Sequence, residues 1–260
     1  MLANRSFIQS PKTIAVFVFL FLAWAAAAWP QQSGSGSMPD MPGMPHGMKM
    51  PPAVENAQTI AKQQADKRES EFNHRLAGVF VILAGAFAFW EPRLLDQRSS
   101  VARFGWGVCF LVAGLFLLVF SDTEIWPFGP QSPWYAIAHN PEDLQHKIFA
   151  VVLLGIGILQ IQTARGRLKP ELLAYMFPLM ALAGSILLVF HTHSGDMSAA
   201  NAMETMKRVK AQHARFAATG VAIALTSVLA VKPQRYQRLW KKAWPLLLIL
   251  LGVLLLLYTE

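Results

Sequence analysis

Hydrophobic positions in this chain gather into long runs rather than alternating with polar ones. Seven runs stand out, at 13–29, 75–90, 104–120, 147–162, 172–190, 214–231 and 244–258. A bilayer-crossing helix needs about 20 mainly apolar residues, and flanking polar positions bring the shorter runs up to that length. Unbroken runs of this kind predict buried helices, not half-exposed strands. The first run differs from the rest: Arg5 and Lys12 precede it, and the small-residue string Ala25–Ala28 ends it. A basic start, an apolar middle and a small-residue exit describe a secretory signal, cleaved near Ala28 or kept as an anchor. The predicted fold is an all-α integral membrane protein, six transmembrane helices in a bundle after an N-terminal signal or anchor. Three regions follow: 1–29 as signal peptide or anchor, 30–73 as an extracytoplasmic Met/His-rich tether and polar linker, and 74–260 as the membrane domain.

Charge placement sets the expected direction of the helices. Only 15% of the 260 residues are charged, well short of the roughly 25% of a soluble domain, so the position of each cation carries weight. Segments 91–103, 164–171 and 232–243 hold three, three and five Lys or Arg, whereas 121–145 holds none and 191–212 three. By the positive-inside rule the first group faces the cytoplasm, and both ends of the mature chain lie outside. That agrees with the secretory signal and suggests a multi-pass protein of the bacterial inner (cytoplasmic) membrane, with the bilayer as its first partner. A net charge of +8 spread over short loops reads as topology and argues against nucleic acid. A single cysteine, Cys109, excludes an intrachain disulfide and any multi-cysteine metal centre.

A short repeat emerges once the runs are aligned. His74, His146 and His213 each follow Asn or Gln, and Arg93, Arg165 and Lys232 each lie nineteen residues later. Nineteen residues of helix span about 28 Å, close to the hydrocarbon thickness. Each histidine is thus predicted to open an inward-running helix at its outer mouth.

The metal-capable side chains sort by compartment. All seven histidines and eight of the eleven methionines fall on the predicted outer side, and the cytoplasmic loops hold neither residue type. The densest signal is Met38–Pro52, reading MPDMPGMPHGMKMPP. Met38, Met41, Met44, Met48 and Met50 with His46 sit in a Pro/Gly-rich stretch that forms neither helix nor core. Thioethers with one imidazole favour Cu(I). The second constellation is His74, His146, His191, His193 and His213, delivered by several helices to one side of the membrane. In an extended segment His191 and His193 point the same way, which suits chelation, and imidazole accepts either Cu(I) or Cu(II). One objection is the positive end of a helix dipole, which repels a cation at a helix mouth. Glu142, Asp143, Asp196 and Glu204 could offset it, although solvated loop charges and helix caps are the more ordinary role of each. Cys109, Met176 and Met180 lie within spans, where helix packing explains them as well as a metal path does. No phosphate-binding loop is present, and nothing else marks an enzyme.

FPLMALAGSILLVFHTHSGDM and VKAQHARFAATGVAIALTSVLA, with LQHKIFAVVLLGIG before them, resemble the copper resistance protein D (CopD-type) inner-membrane family over about residues 74–231. The matching positions are His191, His193, Asn201 and His213, with His146 similar to a preceding His-led helix. The resemblance implies copper handling. Copper resistance, transport or delivery at the periplasmic face is the expected function, with a periplasmic copper carrier or a copper enzyme as partner. Two alternatives remain: a b-type cytochrome with haem b held by two of the same histidines, and a non-catalytic membrane subunit of a copper enzyme.

Overall fold

The protein is described from a computed structural model. It describes the backbone of residues 52–95, 100–122, 125, 127–190, 200–231 and 235–260, and side chains there except at 52–59, 92–95, 100–102 and 200–203. Residues 1–51, which carry the signal and the tether with Met38, Met41, Met44, His46, Met48 and Met50, lie outside the described residues, as do His191 and His193.

Seven helices are described: α1 Pro52–Leu95, α2 Ser100–Phe120, α3 Pro133–His139, α4 Pro141–Ala164, α5 Pro170–Val189, α6 Ala200–Val231 and α7 Gln237–Leu256. All but the short α3 are long and apolar enough to cross a membrane, so the fold is an all-α membrane bundle of six spans. Local chemistry sets several of the ends. Pro141 and Pro170 occupy first-turn positions, where the missing N–H costs nothing. The Asn140 side chain accepts from Glu142 N at 3.0 Å, and Glu142 and Asp143 sit in the first turn of α4, complementing its dipole. At the other end of α4, Gly166 adopts φ 71°. Its N–H bonds Thr163 O at 2.9 Å while Arg167 N bonds Gln162 O at 2.9 Å, the paired bonds that stop a helix at a left-handed residue.

Each spanning helix packs against the next in chain order, and α7 returns to α1. The six therefore close into an up-and-down ring. Its interior is filled: Val81, Phe110, Ile156, Phe177, Ile223 and Leu248, one from each spanning helix, belong to a single buried cluster. Trp106 adds edge-to-face contacts with Phe177 and Trp244 at 5.8 and 5.9 Å. The seam between α1 and α7 depends on glycine. A Cβ placed on Gly78 would lie 2.7 Å from Gly252 O, and one on Gly252 the same distance from Gly78 O. Two backbones touch directly there, as small residues allow in membrane helices.

Two helices overshoot the bilayer. α1 has 44 residues and α6 has 32, about 66 and 48 Å of helix against a hydrocarbon core near 30 Å. The excess lies before the apolar run in both, and Val54–Asn73, read as polar helix or linker, continues α1 without a break. Ala, Gln, Lys and Glu dominate that stretch, and such residues favour helix even where no apolar face is buried. The expectation that His74 and His213 open their helices is thereby corrected: both sit inside continuous helix. Only His146, in the second turn of α4, keeps the predicted place.

Candidate functional site

Alternation around the ring brings the three helix histidines to one end of the bundle, but not to one point. His74 on α1 and His213 on α6 face each other, ring centroids 5.7 Å apart at 76°. His213 is buried at 3% exposure. In His74 the Nδ1 bonds Ser70 O at 2.8 Å, and in His213 the Nδ1 bonds Val209 O at 2.9 Å. A carbonyl only accepts, so Nδ1 carries the proton in both rings. A backbone acceptor behind Nδ1 is also the arrangement that orients a metal-binding imidazole.

Two aromatic side chains complete the surroundings of the pair. Tyr258, just past α7, stacks on His74 with centroids 3.8 Å apart and stands 5.8 Å from His213. Phe216 lies 5.6 Å from His213 and 6.5 Å from His74. The Tyr258 hydroxyl donates to Glu260 Oε1 at 2.7 Å, an oxygen that also accepts from Ser70 Oγ at 2.6 Å. Burial, and then the nearby Glu260 carboxylate, push the phenol well above its ordinary value, so Tyr258 remains a donor.

His146 belongs to a separate corner. Its Nδ1 donates to Asp122 Oδ1 at 2.8 Å, and Lys147 Nζ donates to Asp122 Oδ2 at 2.7 Å. Burial alone would raise the Asp122 carboxyl, but these two neighbours together hold it well below the usual carboxylate range. His139 is explained locally: it stacks on Tyr135 at 4.1 Å and bonds Tyr135 O. Among the described residues, no group of three or more His, Cys, Asp or Glu side chains converges to hold a metal.

The repeat seen in the sequence has a structural counterpart that the sequence did not disclose. Asn73 Nδ2 donates to Ser121 O at 3.3 Å, Gln145 Nε2 to Phe190 O at 3.1 Å and Gln212 Nε2 to Thr259 O at 2.7 Å. In all three, the amide before a helix histidine grips the carbonyl just past the next outward-running helix. The ring is thus three helical hairpins, α1–α2, α4–α5 and α6–α7, each clamped at the same end. Asp122 and Glu260 directly follow the gripped residues, and both reach the neighbouring hairpin: Asp122 to His146 and Lys147, Glu260 to Ser70. In sequence order, His191 follows Phe190 in the same register.

No family model, curated protein or solved structure matches this chain.

Proposed function

We propose that this chain binds copper as cargo at the periplasmic face of the bacterial inner membrane, serving resistance, transport or delivery to a partner, as its CopD-type resemblance implies. The observation that carries the reading is the His74–His213 pair. Two imidazoles sharing a first-row metal through nitrogen at about 2.0 Å leave their centroids roughly 5–6 Å apart, and 5.7 Å falls in that range. Both rings keep Nδ1 on a backbone carbonyl, and we assign Nε2 as the ligating nitrogen. Both also sit within helix rather than at its positive end, so the dipole objection falls away for these two. His191 and His193 are the candidates to complete the set, whereas His146 pairs with Asp122 in its separate corner.

The tether would make the first capture through Met38, Met41, Met44, Met48, Met50 and His46, whose softness suits Cu(I). From Pro52 to His74, α1 covers about 33 Å. The fourteen residues from Met38 to the start of α1 reach at most about 50 Å when extended, so the far end of the tether can return to the histidine pair.

Metal analysis and an optical spectrum on one detergent-purified sample, after mild copper loading and desalting, test the proposal. Protein lacking the tether should retain copper without a haem Soret band. The double variant His74→Ala/His213→Ala in that background should lose the metal. Undiminished copper in the double variant, or a Soret band that shifts on reduction, would overturn the reading.

A further inference from the structure

The short segment Tyr258–Glu260 contributes more contacts to the histidine pair's surroundings than the end of a membrane helix requires. We propose that it is a positioning clasp: Tyr258 fixes the His74 ring and closes the pair, and Gln212, Ser70 and Glu71 hold the clasp in place. This deepens the copper reading and rests on it for the identity of the cargo, but not for the existence of the clasp.

Three observations carry it. First, Tyr258 is wholly buried although it lies past the last helix. Its burial comes from lying flat on His74, 18° from parallel, and from Phe216 at 6.2 Å. Second, the clasp is tied to both helices that supply the histidines. Gln212 on α6 grips Thr259 twice, Nε2 to its carbonyl at 2.7 Å and Oε1 from its N–H at 3.2 Å. On α1, Ser70 Oγ donates to Glu260 Oε1, Glu71 Oε1 accepts from Glu260 N at 3.2 Å, and Lys67 Nζ donates to the Glu260 carbonyl. Third, Gln212 and Ser70 are placed to serve the histidines directly. Gln212 precedes His213 in the chain, and Ser70 is the residue whose carbonyl holds His74 Nδ1. One set of bonds therefore sets both ring orientation and closure.

The amide grip on Thr259 is the third instance of the clamp at Asn73 and Gln145, and it is two-bonded. It also lies at the ring's closing seam, where α7 meets α1. His213 is 3% exposed and Tyr258 stands 5.8 Å from it while lying on His74, so on this proposal opening of the clasp is what exposes the pair for exchange. The titratable groups around it include His74, Lys67, Glu71, Glu142, His213 and Glu260 itself.

The test uses the full chain in detergent with three variants: Tyr258→Ala, Tyr258→Phe and Gln212→Ala. Diethyl pyrocarbonate labelling of His74 and His213, followed by peptide mass spectrometry, reads closure without any metal. Removal of loaded Cu(I) by a water-soluble chelator reads exchange. Losing a stacked ring or a two-bonded amide at about 1–1.5 kcal/mol corresponds to a roughly tenfold faster rate. We expect that acceleration of labelling in Tyr258→Ala and Gln212→Ala, with Tyr258→Phe within about twofold of the parent because the stack survives. Gln212→Ala changes a partly exposed side chain and serves if Tyr258→Ala fails to fold. Unchanged labelling in Gln212→Ala would overturn the clasp, as would Tyr258→Phe behaving like an unfastened variant. Faster labelling in a protein whose copper is unaffected by His74→Ala/His213→Ala would keep the clasp and defeat the copper reading instead.

Discussion

Asp122 shows how much a single residue can settle that sequence spacing cannot. Of the acids that reading the chain places near the histidines, Glu142 and Asp143 do stand close to His146, yet its hydrogen-bonded partner is Asp122. The available signal was position: Asp122 ends one span's exit just as His146 begins the next, at the same membrane depth. With its side chain 8% exposed and Lys147's 15%, the pair is largely shielded from solvent. Removing one partner of such a pair typically costs about 3–5 kcal/mol, because the other charge is left without compensation. Asp122→Asn should therefore destabilise the detergent-solubilised protein by about that amount in thermal or denaturant unfolding. The pH dependence follows from the sign. A carboxyl held below its ordinary value stabilises fully above roughly pH 4 and loses that contribution only as pH falls through the lower folded value. The gap between parent and Asp122→Asn should accordingly not narrow from about pH 7 down to about pH 5. A gap that narrows over that interval would mean Asp122 titrates as an exposed acid, and the buried clamp would be wrong.

Helices were legible in the chain where burial decides them and illegible where it does not. Long apolar runs located all six spans, because a membrane helix must satisfy its backbone internally and present apolar side chains to lipid. Their ends were harder to place. Helix propensity carries α1 back to Pro52 and α6 to Ala200, well beyond the apolar signal, so His74 and His213 moved from helix mouths into helix interiors. The repeat was visible only as Asn or Gln before His, since the carbonyls those amides grip lie more than forty residues away in the chain. The α1–α7 seam was also hidden: glycines in an apolar run give no hint of which neighbour they meet. That seam supports the histidine pair, which makes it testable. Gly252→Ala would set a methyl against Gly78 O, and such overpacking typically costs about 1–3 kcal/mol. Gly166→Ala meets nothing within 4 Å and pays only for its left-handed backbone, about 1–2 kcal/mol. Both should lower the unfolding midpoint, but only Gly252→Ala should also speed labelling of His74 by diethyl pyrocarbonate. Equal labelling in the two variants would separate the seam from the site.

At the scale of the whole molecule, the filled ring favours a reading of capture at one face over conduction. Cys109 is buried in the interior cluster and Met180 packs against it, so core packing accounts for these two soft side chains within the spans. A protein that receives cargo at one end needs that end to face the source, which makes orientation the property on which the functional proposal turns. Eleven cations in three loops against three in two predict the histidine end outside. Single cysteines introduced in a Cys109→Ala background test this in intact cells. Gln131→Cys, in the segment joining α2 to α3, should react with a membrane-impermeant maleimide from the periplasm. Arg167→Cys, in the turn after α4, should react only once the inner membrane is opened. The reverse pattern would turn His74 and His213 toward the cytoplasm, where a tether delivered by a secretory signal would stand on the wrong side of the bilayer from the pair it is proposed to supply. Copper capture followed by transfer within one chain would then be ruled out by geometry alone, even if the histidine pair bound the metal.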